Sequence, residues 1–366
     1  MHTDSPIKFN YWLAPVAFLY GIGVRFRNFL FNKDILEGKQ FPVPVISIGN
    51  LAVGGTGKTP HTEYIIRLIK DKYKVAVLSR GYKRKTKGFI LADDKSSSKT
   101  LGDEPYQMHL KFPEILVAVD EDKRHGIQYL LDLPAEQKPE VILLDDAFQH
   151  RYVTPSLSIV LSDYNRLFYY DQLLPVGRLR EPKEGIRRAD IVIVSKCIDE
   201  LKPIDCRIIE ADANLLAHQN IFFTQIIYGK MLPVFPEYTE TDTPALDKAD
   251  RLLVVTGIAH PELFIEKAKK YTDNVTSLTF SDHHDFTQKD IKKMQAFFSA
   301  SDATGKSYIL TTEKDAVRLK DNPHIPEEWK GAVFYLPIEI DFHIKNDLSF
   351  DEIITKHIKT FRNNSI

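Results

Sequence analysis

Cysteine is almost absent from this 366-residue chain; only Cys197 and Cys206 occur. Their spacing fits no disulfide framework, zinc site or redox motif, so they read as structural thiols of a reducing compartment. Net charge is nearly absent too, at −1, which leaves a nucleic-acid role without global electrostatic support; none is expected. A membrane-spanning run is also missing. The apolar stretch Tyr11 to Val24 covers 14 residues, too few to cross a bilayer. It follows no basic region and precedes no clear small-residue cleavage site, unlike a secretory signal. Repeats, heptads and long low-complexity segments do not occur, which removes solenoid and coiled-coil architectures. What remains is ordinary for a soluble globular protein, with 43% hydrophobic and 27% charged residues and a length comfortable for two domains.

The stretch the chain is built around is Val43 to Tyr64. A short apolar run, Val43 to Ile48, leads into a turn carrying Gly54, Gly55, Thr56 and Gly57, then Lys58 and Thr59. Tyr64, Ile65, Leu68 and Ile69 follow at helical spacing. Strand, glycine-rich loop and helix form a phosphate cradle: loop and helix N–H groups face the anion, Lys58 reaches the terminal phosphates, and Thr59 can hold Mg²⁺. The G-x-x-x-x-G-K-[ST] pattern is incomplete, because Ala52 stands where the first glycine belongs. An ordinary strand-to-helix turn is the plain alternative.

Further short apolar runs at Val75–Ser79, Ile115–Val119, Val141–Leu144, Ser158–Leu161 and Ile191–Val194 alternate with helical patterns. They predict an α/β fold, a P-loop domain whose mostly parallel sheet is flanked by helices. Residues 1–40 read as an N-terminal helical segment, 41–220 as the P-loop domain and 221–249 as a linker containing strand-like residues and the polar run Glu237 to Thr243. Residues 250–332 read as a second, smaller α/β domain with helices over 261–270 and 288–300. Residues 333–366 read as a return strand, Val333 to Ile338, and a terminal helix.

Several residues could carry chemistry. Asp145 and Asp146 end a buried strand, where an acid meets the metal of a P-loop. Arg80 to Lys87 holds five basic residues in eight at the carboxyl end of another strand, where open α/β sheets bind ligands. A solvated loop is the bland alternative. Asp103 opens a helical pattern and by itself reads as an N-cap. Glu181 sits in a Pro/Gly-bounded loop with Arg178 and Arg180, suited either to phosphoryl charge or to a surface ion-pair cluster. His283 and His284 form a dense acid/imidazole cluster with Asp282 and Asp285, without spaced metal-ligand patterns; proton transfer beside a carboxylate is the alternative. Ser195-Lys196-Cys197-Ile198-Asp199 is a poor match to the guanine-reading N-K-x-D element, which leaves ATP as the default nucleotide. Arg25, Arg27 and Lys33, interleaved with Phe26, Phe29, Leu30 and Phe31, suit a helix lying in a membrane interface over residues 11–31, or one packed on the core.

Taken together, Ser47–Leu51 with Gly54–Pro60, Ser79–Tyr82, Gly102–Pro105, Asp145–His150, Leu174–Glu181, Asp282–His284 and Thr312–Val317 resemble the tetraacyldisaccharide 4′-kinase (lipid A 4′-kinase) family, in order along nearly the whole chain. The family loop does not need glycine at Ala52. Two departures stand out: the family commonly has Gly at Ala147 and Pro at Arg178. The resemblance implies ATP- and Mg²⁺-dependent phosphorylation of the 4′-hydroxyl of an acylated glucosamine disaccharide 1-phosphate. It implies a general base at Asp103 supported by His283, and Thr59, Asp145, Asp146 and Glu181 around the Mg-nucleotide. Arg80, Tyr82, Arg178 and Arg180 would face the substrate. It also implies a peripheral or monotopic protein on the cytoplasmic face of the bacterial inner membrane, anchored through residues 11–31. A P-loop switch or metallochaperone-like NTPase acting on a protein partner is the competing expectation, resting on the nucleotide site alone.

Overall fold

The computed structural model describes residues 9–239, 244, 246–248, 250–258, 261–298, 306–343 and 349–364. Residues 240–243 of the expected polar run and 299–300 of the expected helix lie outside the described residues.

A 3₁₀ turn, Tyr11–Leu13, leads into α1 (Ala14–Asn32). Pro15 falls in the first turn, where its missing N–H costs nothing, so the helix starts late instead of kinking. Then come β1 (Val45–Asn50), α2 (Lys58–Ile69), β2 (Val75–Ser79), β3 (Ile90–Leu91), α3 (Ser98–Leu101) and α4 (Asp103–Lys111). The chain continues through β4 (Leu116–Val119), α5 (Lys123–Leu131), β5 (Val141–Asp145), β6 (Leu157–Asp163), β7 (Ile191–Ser195), α6 (Pro203–Ala213) and β8 (Asn220–Tyr228). All six predicted apolar runs are strands.

They build a nine-stranded sheet in the order β14-β8-β7-β6-β1-β5-β2-β4-β3, where β14 (Ile338–Phe342) returns from late in the chain. From β8 to β4 the pairs are parallel; β14 and β3 flank them antiparallel. Continuous apolarity follows from cover on both faces. Ile46, Ile48 and Val77 pack with Ile65 and Ile69 of α2, Met108 of α4 and Ile354 of the terminal helix α10 (Phe350–Asn364). The alternate residues Val45, Ala76 and Leu78 pack with Ile127 and Leu130 of α5. Each fully buried Leu, Ile or Phe contributes roughly 1.5–3 kcal/mol over leaving it exposed. The register sets Ile48 beside Asp145 and Leu78 beside Leu144, so the carboxyl ends of β1, β5 and β2 share one edge.

The second, smaller α/β unit contains β9 (Leu232–Pro233), β10 (Arg251–Thr256), α7 (Glu262–Ala268), β11 (Asn274–Thr279), α8 (Gln288–Phe298), β12 (Ser307–Thr312), α9 (Glu313–Lys320) and β13 (Val333–Leu336). Its sheet runs β11-β10-β12-β13-β9, parallel except at β9. Two expectations change in detail. The strand-like residues after Asn220 form β8 of the first sheet, because Phe222, Phe223 and Thr224 are buried there. The expected single strand Val333 to Ile338 divides at Pro337 between β13 in one sheet and β14 in the other. Both crossings lie together: Tyr228 pairs with Ile338, and the Gly229 N–H donates to the Pro337 carbonyl at 2.9 Å.

Candidate active site

The loop between β1 and α2 takes its shape from two glycines. Gly54 has φ +116° and Gly57 φ +83°, conformations a side chain resists. The loop is braced from three sides. Asn50 Nδ2 donates to Thr56 Oγ1 at 3.0 Å, Ser195 Oγ donates to the Thr56 carbonyl at 2.8 Å, and Lys196 Nζ donates to the Gly55 carbonyl. The segment Arg178–Arg180 runs beside it, with Val53 N–H donating to the Arg178 carbonyl at 2.8 Å and Arg180 N–H to the Leu51 carbonyl at 2.7 Å. Arg178 therefore keeps backbone bonds to the loop, while its side chain is exposed. A Cβ added at Gly55 would meet nothing within 4 Å, and at Gly54 only Arg178 at 3.9 Å. Bare backbone opens onto space at the N-terminus of α2, which is what a phosphate chain requires.

Buried His61 secures that helix start. Nδ1 lies 2.7 Å from the Gly57 carbonyl and Nε2 3.0 Å from Thr224 Oγ1. The carbonyl can only accept, so Nδ1 carries the proton and Nε2 receives the Thr224 hydroxyl. Burial holds the His61 pKa down, at about 4. The unfolded chain, titrating near 6.5, therefore takes up a proton that the folded one refuses. Stability is full above about pH 6.5 and falls by roughly 3 kcal/mol as pH drops towards about 4. Denaturant midpoints at pH 7 and 4.5 should diverge in the parent and converge in His61→Gln; equal divergence in both would remove His61 from the account.

Asp145, buried at the end of β5, accepts from Ser79 Oγ at 3.3 Å through Oδ2, and its Oδ1 is buried without a partner. Burial, then Glu104 and Asp146, push its carboxyl up against the pull of Lys58 and Lys123. Asp146 follows in left-handed conformation (φ +47°). It lies 3.6 Å from Lys58 Nζ and accepts from Arg180 at 3.0 Å. Burial would raise its carboxyl, but Lys58 and Arg180 outweigh burial and hold it below the usual range. Buried Lys123 donates to the Leu78 carbonyl at 2.9 Å behind the pair, its ammonium disfavoured by burial.

An orphaned carboxylate oxygen, crowded acids and the Thr59 hydroxyl in the first turn of α2 fit an Mg²⁺ ion completed by nucleotide phosphates. Among the described residues no three His, Cys, Asp or Glu converge as an all-protein metal cage. Glu181 is buried with its oxygens taken by Gln149 (3.1 Å) and Arg188; its link to Asp146 runs through Gln149 and Arg180. Ala147 is buried beside the acids.

A second group gathers where the two sheets meet. Gly102, with φ +89°, is the N-cap of α4, which leaves Asp103 as the first helical residue and frees its carboxylate from capping. His283, also left-handed (φ +60°), sets Nδ1 2.9 Å from Asp103 Oδ2, across 180 residues of sequence. Lys314 Nζ lies 2.8 Å from His283 Nε2. Ammonium only donates, so Nε2 accepts and Nδ1–H points at Asp103; Arg318 NH2 lies 2.9 Å from Nδ1 but spends its donor on the same carboxylate. Arg318 NH2 also donates to Asp103 Oδ2. Burial opposes ionisation of Asp103, but His283 and Arg318 prevail and hold it far below the usual carboxylate range. His284 turns away to Asp290 at 3.0 Å, so the two histidines share no ligand site. Tyr82 meets the His283 ring edge-on, centroids 5.4 Å apart. Ser79, at the end of β2, bonds Asp145, and just beyond it a Cβ on Gly102 would lie 2.9 Å from the Tyr82 carbonyl, which makes the two groups neighbours.

The basic loop divides. Arg84 turns inward to the Gly88 carbonyl (2.8 Å) and Glu121 (2.6 Å), while Arg80, Lys83, Lys85 and Lys87 are exposed. Sequence reasoning passed over His61 and Lys123, and assigned no role to Lys314 or Arg318. Lys196, weighed only as a guanine reader, braces the loop.

α1 lies against the same edge. Ala17, Gly21 and Phe31 face inward, Tyr20 OH donates to the Arg180 carbonyl at 2.6 Å, and Arg27 donates to the Gln149 carbonyl at 3.2 Å. Trp12, Phe18, Leu19, Phe26 and Phe29 are exposed by half or more. Among the described residues no helix is long and apolar enough to cross a membrane.

The family model for tetraacyldisaccharide-1-P 4′-kinase matches residues 9–359. A Parabacteroides distasonis tetraacyldisaccharide 4′-kinase is 55% identical over 361 residues, covering 98% of each chain. The Bacteroides thetaiotaomicron enzyme of the same name is 50% identical, covering 98% of this chain and 96% of its own. The crystal structure of Aquifex aeolicus LpxK in complex with ATP superposes with TM-score 0.71 at 30% identity, covering 95% of this chain and 98% of that one.

Proposed function

Since the chain belongs to the tetraacyldisaccharide 4′-kinase family, we propose that it transfers the γ-phosphoryl group of ATP to the 4′-hydroxyl of a tetraacylated glucosamine disaccharide 1-phosphate, a lipid A precursor. The observation that carries this reading is the meeting of Asp103 and His283 beside a P-loop. A nucleotide switch needs the loop but has no use for a carboxylate–imidazole pair next to it.

The loop from Gly54 to Gly57 and the first turn of α2 cradle the phosphates with backbone N–H groups. Lys58 leaves Asp146 for the terminal phosphate, and Arg180 stays to balance Asp146. Mg²⁺, when bound, neutralises charge on the phosphates; Thr59, Asp145 and Asp146 would hold it, with Glu181 acting through Gln149. Phosphoryl transfer through a loose transition state needs alignment and charge neutralisation more than covalent help. Asp103 takes the hydroxyl proton late, and His283 orients it. Tyr82, against the His283 ring, and Arg80, Arg178 and Arg180 would meet the sugar and its anionic group.

Incubation with ATP, Mg²⁺ and detergent-dispersed lipid disaccharide tests the assignment. Phosphate should appear on the lipid. Its absence, together with hydrolysis stimulated by a protein partner, would give the function to a switch.

The membrane reading rests on α1. Its exposed face carries Phe18, Leu19 and Phe26, with Trp12 of the preceding turn also exposed, and the basic residues from Arg80 to Lys87 add attraction for anionic headgroups. The site would then face the cytoplasmic surface of a bacterial inner membrane from a peripheral or monotopic position. Phe18→Ser and Leu19→Ser should each weaken sedimentation with anionic vesicles by about tenfold. Unaltered sedimentation would move the attachment elsewhere.

A further inference from the structure

Helix α9 begins at an N-cap, Thr312, whose hydroxyl accepts the Asp315 N–H at 3.2 Å. Asp315 is fully buried, and its carboxylate collects the Gly257 N–H at 2.8 Å, the Thr312 hydroxyl at 2.7 Å and Arg318 NH1 at 3.1 Å. One end of the Arg318 guanidinium is thereby fixed inside the second unit. The other end crosses between the sheets, where NH2 donates to Asp103 Oδ2. The side chain is only 5% exposed. A buried arginine serving its own unit would spend its donors there; this one gives half of its fork to the other.

The geometry at Asp103 is one-sided. His283 Nδ1 and Arg318 NH2 both converge on Oδ2, and neither engages Oδ1. The two nitrogens are themselves 2.9 Å apart, so they grip Oδ2 from one side, and a carboxylate held there through one oxygen has its rotation about the last bond restricted. The other oxygen is then presented in one direction.

We propose that Arg318 is a positioning residue for the phosphoryl acceptor: anchored by Asp315, it pins Oδ2 of Asp103 and so fixes Oδ1 as the atom that receives the hydroxyl proton. This rests on Asp103 being the base. In the step, the hydroxyl O–H bond breaks, its proton moves to Oδ1, its electron pair forms the new O–P bond, and the bond from the γ-phosphorus to the leaving ADP oxygen breaks. Arg318 forms and breaks no covalent bond. It keeps the acceptor atom aimed, and a misaim of about 1 Å costs on the order of 100-fold.

The test uses the full-chain enzyme with ATP, Mg²⁺ and lipid disaccharide, comparing Arg318→Met, Arg318→Ala, Arg318→Lys and Asp103→Ala. Arg318→Met is expected to lower kcat by about 100-fold with the KM for ATP unchanged. Arg318→Lys, a point charge unable to hold Asp315 and Asp103 together, should remain impaired. Added ethylguanidinium should restore part of the kcat of Arg318→Ala and none of that of Arg318→Lys, a rescue that a merely structural role would not show. Parental kcat in Arg318→Met, or an Arg318→Ala loss that follows the unfolded fraction without rescue, overturns the proposal. If the Met and Ala variants do not fold, Arg318→Lys decides alone: reduced kcat in folded protein supports the proposal, and parental kcat overturns it. Full turnover in Asp103→Ala would instead remove the base assignment itself, a result distinct from an inactive Asp103→Ala beside an active Arg318→Met.

Discussion

Asp103→Ala should lower turnover by about 10²- to 10⁴-fold, the usual contribution of a positioned general base, while ATP binding persists. The expectation follows from separation of labour. The proposed phosphate cradle runs from Gly54 to Thr59, and none of its braces involves Asp103. Removing the carboxylate therefore leaves nucleotide affinity intact and strips the acceptor of its proton sink. His283→Ala should lower turnover less, because Arg318 still holds Asp103. The depressed Asp103 pKa adds a pH signature: because the group is ionised well below the ordinary carboxylate range, kcat should show no loss from Asp103 protonation across that range. Calorimetric ATP titration beside a single-turnover assay separates the two steps. Lost ATP affinity in Asp103→Ala would place the residue in nucleotide binding instead.

Lys58→Ala should lose turnover and ATP affinity together. Its ammonium, 3.6 Å from Asp146, is the cation proposed to meet the terminal phosphate. Loss of such a preorganised charge typically costs about 10²- to 10³-fold in turnover, and here ATP affinity should fall as well. Its removal also takes away a charge that opposes the crowding of Asp145 by Glu104 and Asp146. The nucleotide-free variant should consequently bind Mg²⁺ no worse than the parent, although ATP no longer raises its melting temperature. A parental ATP-induced shift in Lys58→Ala would contradict the role given to this side chain.

The nucleotide half was readable because it is local. Strand, glycines, lysine and helix lie within Val43 to Tyr64, and backbone chemistry dictates their order. The six apolar runs were readable for the same reason, since a strand covered on both faces must be apolar throughout. The pair at the sheet junction was not. As residues, Asp103 suggested a cap and His283 a cluster; only the family resemblance joined them, and the contact spans 180 positions. Arg318 was less visible still. It sits 215 residues from Asp103, on a short polar helix whose few apolar residues, Ala316, Val317 and Leu319, set up no long periodicity. β11 escaped because its residues are largely exposed, and Pro337 concealed a change of sheet inside what looked like one strand.

That change of sheet has a wider meaning. The chain leaves the nine-stranded sheet after Tyr228 and re-enters it at Ile338, the residue paired with Tyr228. Everything between is topologically a detour from an edge that would close without it. A short turn joining Tyr228 to Ile338 would leave a hairpin, a completed sheet and an intact phosphate loop, but neither His283 nor Arg318. The cost would be the apolar seam where Val317 covers Leu101 and Tyr106. Nucleotide capture and the aiming of the proton acceptor are thus separable parts of one chain: a chassis that carries the phosphate loop and Asp103, and an inserted module whose His283 and Arg318 hold that carboxylate.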